Sequence, residues 1–212
     1  MSELTNEAIT QEATATVEEA KDIRTRVRDL TLSAIRQRHL EAGEVREIVR
    51  ALMTGINFGL EKKAEDSKVA MSEAFAGLDD ALQKSAEATH LALQQLSDRG
   101  KEFSDIDLTI AIENMKQTEK DFLTVVSEVA AAASDRVKTD WQELVTHATR
   151  TGTDTGRQVA DTLNVFSHRM AEVAVDVRTV GGGAARQLSS RFVQVASGIL
   201  AGVTEAIRDK KQ

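Results

Sequence analysis

Apolar residues recur along this chain at intervals of 3, 4 and 4 positions, an 11-residue unit that keeps one phase from Ala20 to Ile207. Triplets such as Met53, Ile56, Leu60 and Leu163, Phe166, Met170 carry it. Of the 52 positions in this phase, 41 are apolar, 3 are glycine and 8 are polar, whereas the whole chain is 41% apolar, so the pattern marks a face and is not a by-product of composition. Eleven residues over three turns is about 3.67 per turn, close enough to the α-helical value that the face stays nearly straight. Two environments reward that period: a nearly straight or right-handed helical bundle, and an apolar surface on which the helix lies flat. Both readings stand on the pattern alone. The phase persists across the expected breaks, which favours a continuous surface, because loops of an ordinary bundle have no reason to keep register.

The pattern predicts an all-α fold of four or five long amphipathic helices, over 5–64, 67–98, 105–151, 155–180 and 184–209, arranged as an elongated bundle or as extended helices. The clearest break is 97–105, where Gly100 follows a helix end and Ser104 or Asp105 can cap the next helix. It divides the chain into an N-terminal region, 5–98, behind a disordered tail of residues 1–4, and a C-terminal region, 105–212. Hinges are expected at Gly152 and Gly156, in the sequence TGTDTG, and at Gly181, Gly182 and Gly183. Gly55 and Gly59 suggest a kink.

Composition narrows the class. The chain has no proline, cysteine or tyrosine and only 3% aromatic residues, which suits helix and not sheet. Without cysteine there is no disulfide framework, thiolate catalysis or thiolate zinc site, and a cytoplasmic location, peripheral to granules or membrane, is expected. The first 20 residues lack a basic and an apolar segment, so no signal peptide is predicted. The uncharged run 192–204 holds 13 residues, short of the roughly 20 that span a bilayer. The net charge of -7 argues against nucleic acid as a partner. Charge is uneven: residues 1–106 hold 14 basic and 20 acidic side chains, whereas 157–212 hold 8 and 5, so the last quarter is the better candidate for first contact with a surface.

No constellation for catalysis emerges. His39, His90, His147 and His168 are scattered, and Glu87 with His90 is a lone Glu-x-x-His where a di-iron bundle needs two copies and further carboxylates. The triple glycine lacks the Gly-Lys-Ser/Thr of a phosphate-binding loop and reads as a hinge. No enzyme, metal or cofactor is therefore expected. The residues expected to meet an apolar surface, or copies of the same chain, are Trp141, Leu144, Leu163, Phe166, Met170, Leu188, Phe192, Ile199 and Val203, all on the stripe.

The proline-free, alanine-rich helical text of residues 70–96 (AMSEAFAGLDDALQKSAEATHLALQQL) and 121–145 (DFLTVVSEVAAAASDRVKTDWQELV) resembles the phasins, amphipathic-helical proteins that coat polyhydroxyalkanoate granules, and more loosely the exchangeable apolipoproteins. The resemblance lies in texture over most of the chain and includes no diagnostic motif. It implies a non-catalytic protein that covers a hydrophobic granule or lipid surface and forms homo-oligomers. The alternative is a scaffolding protein that packs the same stripe against its own copies as a bundle or filament.

Overall fold

The computed structural model describes residues 4–19, 21–38, 42–63, 67–98, 105–177 and 194–201. They form α1 (Asn6–Glu19), α2 (Ile23–Arg38), α3 (Ala42–Lys62), α4 (Ser67–Asp98), α5 (Asp105–Ala132), α6 (Asp135–Thr151) and α7 (Asp154–Val177). Residues 194–201 add a short helical stretch, and no strand occurs among the described residues. The fold is all-α, with more and shorter helices than the pattern predicts.

The expected helix over 5–64 is three helices, and that over 105–151 is two. Each division has a local cause. The chain turns between α1 and α2 at Asp22, whose φ of 51° lies in the left-handed region that non-glycine residues rarely enter. Ser134 is extended at φ -62° and ψ 154°, and Asp135 opens α6 with a negative charge at the positive end of the helix dipole. The expected span 67–98 is a single helix, and the turn at Gly152 falls at an expected break.

Cross-helix pairings define the topology. Thr10 meets Ala51, Thr14 meets Gly55 and Glu18 meets Lys62, so α1 and α3 run parallel. Arg46 pairs with Asp121 and Arg50 with Glu128, which sets α5 parallel to α3. Asp79 contacts Thr155 and His90 contacts Thr162, so α7 runs parallel to α4. Leu4 and Asn6 bond to Gln37 and Arg38, which turns α2 antiparallel to α1. Helix pairs therefore stack in two rows: α1, α3 and α5 in one, and α2, α4 and the α6–α7 arm in the other.

The closest approach lies between α1 and α3. A Cβ on Gly55 would collide with the Thr10 carbonyl oxygen and stand 2.8 Å from Ala13 Cβ, and one on Gly59 would stand 2.7 Å from Val17 Cβ. The two glycines are thus the floor of a helix crossing inside an unbroken α3, not a kink. Thr10 and Thr14 add hydroxyl bonds of 3.1 and 3.0 Å to the Ala51 and Gly55 carbonyls, which are shared with bonds to their own helix. A hydroxyl can reach a neighbouring backbone only where helices come this near.

One apolar cluster extends from Ile9 to Leu200, so the regions 5–98 and 105–212 contribute to a common interior. Its largest fully buried side chains are Trp141, Phe122, Ile23, Met53, Ile56 and Leu60 at positions in the stripe phase, and Ile9, Leu32, Ile35, Ile48 and Leu52 outside it. The Phe75 and Phe122 rings stack with centroids 5.2 Å apart. Much of the remainder is alanine and valine, and Thr16, Thr31, Asn57, Asp79, Ser85, Thr89, Asp121, Thr153, Thr155 and Thr162 are buried among them. Residues 1–3 of the expected tail lie outside the described residues, whereas Leu4 is held by its N–H, 3.1 Å from Gln37 Oε1.

Candidate functional site

The densest buried polar network sits where α6 turns into α7. Gly152 ends α6 at φ 82° and ψ 163°, a conformation open essentially to glycine alone, and its N–H closes the helix on the Ala148 carbonyl. The first N–H groups of α7 have no partner within their own helix. They are capped from another element. Asp79, in the middle of α4, accepts the Asp154 N–H at 2.8 Å on Oδ2 and the Thr155 N–H at 3.0 Å on Oδ1. The Thr155 hydroxyl, fully buried, donates to the same Oδ1 at 2.7 Å. A carboxylate distant in sequence thereby does the work usually left to a residue beside the helix start.

Burial pushes the Asp79 carboxyl above the usual carboxylate range; the Thr155 bonds oppose that shift, neighbouring Asp80 adds to it and Arg157 opposes it. Asp80 is itself drawn away by Arg24, which grips it through two bonds of 2.7 and 2.8 Å. On the other side, Glu119 of α5 fills the space beside Gly156, where a Cβ would collide with its carboxylate. The Gly156 N–H bonds the Thr153 hydroxyl at 2.9 Å, and Arg157 pairs with Asp154. The turn 152–157 is thus clasped to α4 and α5 by side chains that do not belong to α6.

By contrast, α6 is lightly attached. Val137, Trp141 and Ala148 are its buried residues. Its ion pairs, Lys68 with Asp140 and Glu143, lie at the surface. At its start Arg136 donates to the Leu60 carbonyl at 3.1 Å. The Trp141 indole is fully buried, yet its Nε1–H has no hydrogen-bond partner among the described residues. Such an orphaned donor costs about 1–3 kcal/mol.

The expected surface residues divide as follows. Trp141 and Phe166 are buried, and Leu144, Leu163 and Ile199 are half-buried against the interior. Phe166 meets the His90 ring edge-on at 5.9 Å. Met170 lies in α7 with its side chain outside the described residues, as are Leu188, Phe192 and Val203 altogether, together with Gly100, Gly181, Gly182 and Gly183. The structure brings Leu163, Phe166 and Ile199 to one cluster with Leu108 and Ala196, and places Trp141 and Leu144 with the main core. Glu87 pairs with Lys84 and His90 with Thr162, and no group of three metal-ligating side chains occurs among the described residues. Among the described residues no helix is long and apolar enough to cross a membrane.

The clasp is not among the expected site residues. A signal for part of it exists, because Glu119 and Thr155 are polar residues standing in the apolar phase. Asp79 has no such mark; only the packing of α7 on α4 reveals it.

In class this is an all-α protein of stacked helix pairs with a side-chain clasp at the turn between α6 and α7. The chain belongs to DUF6781, a family of unknown function, whose profile matches residues 1–209. No curated protein and no solved structure matches it.

Proposed function

We propose that this is a non-catalytic amphipathic helical protein that coats a hydrophobic surface, storage granule or lipid, by exchanging the partner of its apolar stripe. In water the stripe of each helix faces the others; on an apolar surface the helices part and face the surface instead. The observation that carries this reading is the make-up of the interior. It is rich in alanine, valine and hydroxyl side chains, and it gathers stripe residues from α2 to α7. Among the described residues only Phe58, Val69, Leu91 and Val165 are large apolar side chains left exposed.

Attraction between helices scales with the apolar area they cover, so small side chains hold the helices modestly. An extended apolar surface offers every helix the same contact at once. The resemblance to phasins supports the same reading. Sedimentation with polyhydroxyalkanoate granules and with liposomes tests it, together with helicity and hydrogen exchange in both states. Association with loss of tertiary protection and retained helicity is expected. A stable, concentration-dependent oligomer indifferent to both surfaces overturns it in favour of a self-associating scaffold.

A further inference from the structure

Building on that reading, we propose that α6, and not the net-positive last quarter that the charge distribution favours, is the helix that docks first, moving as a unit between Ser134 and Gly152, and that its partner surface is an uncharged lipid layer. Three independent features of the structure converge on this helix.

The first is mechanical independence. Breaks bracket α6 at Ser134 and Gly152, and the clasp below it is built from Asp79 and Glu119 on other helices. Helix α7 is capped by α4, so α6 can leave without uncapping α7. The second is the attachment itself: three buried side chains with Leu144 and Val145 half-buried beside them, the Arg136 bond to the Leu60 carbonyl, and surface ion pairs that water or a headgroup replaces at little cost.

The third is chemical. Trp141 is buried, and its Nε1–H has no partner among the described residues. At a lipid interface an indole keeps its ring in the apolar layer while the N–H meets an ester carbonyl, so docking supplies the hydrogen bond that the closed state withholds. Val137, Leu144 and Ala148 share the Trp141 face at helical spacing and would lie beside it. The polar side of α6 carries three acidic residues (Asp135, Asp140, Glu143) and three basic ones (Arg136, Lys138, Arg150), a balance that gives no pull toward an anionic bilayer.

Trp141 is the sole tryptophan, so the full chain carries its own reporter. The experiment adds phosphatidylcholine vesicles with bromine on the upper acyl carbons and follows Trp141 fluorescence, cosedimentation and amide exchange over 135–151. Expected are loss of most of the emission by bromine quenching and a change of exchange in 135–151 ahead of the other helices. Cosedimentation without quenching overturns the assignment of α6 while leaving the surface-coating reading intact. Absence of cosedimentation with both these vesicles and granules removes that reading and this one with it. A marked preference for phosphatidylglycerol vesicles that salt abolishes overturns the uncharged partner.

Discussion

The α1–α3 seam and the α6 arm use the same amphipathic text in opposite ways. At the seam, glycines let two backbones meet, and threonine hydroxyls bridge to the opposing carbonyls. Along α6, one large aromatic holds a mostly polar helix against the bundle, and the links around it are at the surface. Close backbone approach tolerates no added volume, whereas a side-chain anchor on a helix bounded by chain breaks at both ends tolerates displacement. Stability and mobility are therefore expected to be unevenly distributed over the molecule.

Substitutions can break that contrast. Gly55→Leu is expected to have the largest effect, because the added atoms meet backbone that cannot yield; a loss of about 3 kcal/mol is expected from overpacking, read as a lowered urea midpoint. Equal stability to the wild type would mean that the seam is not tight. Asp79→Ala strips the cap from α7 and leaves the buried Thr155 hydroxyl without its acceptor, for a loss of about 2 kcal/mol. Amides at the start of α7 should then exchange faster while those of α1 and α3 keep their protection. Gly152→Ala forces a side chain into a glycine conformation and should cost about 1 kcal/mol, although space around it is open.

The pH dependence sharpens the same point. Burial raises the Asp79 pKa in the folded state, so the folded chain holds this proton more tightly than the unfolded chain. The corresponding stability is fully present below the ordinary aspartate value of about 4 and is lost as pH rises through the raised value. Urea midpoints of the wild type should thus fall relative to those of Asp79→Asn over that window and run parallel above it. A constant difference would show that the group does not titrate differently on folding. The smallest effect belongs to Lys68→Ala, which removes surface pairs with Asp140 and Glu143 and should leave the melting temperature unchanged.

Several elements are legible in the sequence. The span 67–98 keeps the apolar phase from Met71 to Leu93 with Thr89 as its one polar member and holds a single glycine, and it is one helix. The turn at Gly152 is announced by TGTDTG. The start of α6 is also announced, by Ser134 and Asp135, but the surrounding alanines and unbroken apolar phase hide it. The turn at Asp22 has no glycine to reveal it, since a non-glycine residue occupies the left-handed region there. The clasp is legible only in halves: Glu119 and Thr155 interrupt the apolar phase, and Asp79 carries no mark.

What the amino-acid sequence determined by itself is the all-helical class and the identity of many interior residues, because helix propensity and apolar spacing act within a few turns of chain. What the tertiary structure decided is which stripe faces which: α1 on α3 through the glycine floor, and α7 on α4 through Asp79. A uniform stripe of small apolar residues can pair with almost any copy of itself. The choice among pairings rests on backbone proximity and on buried polar partners far apart in sequence, and neither has a local signature.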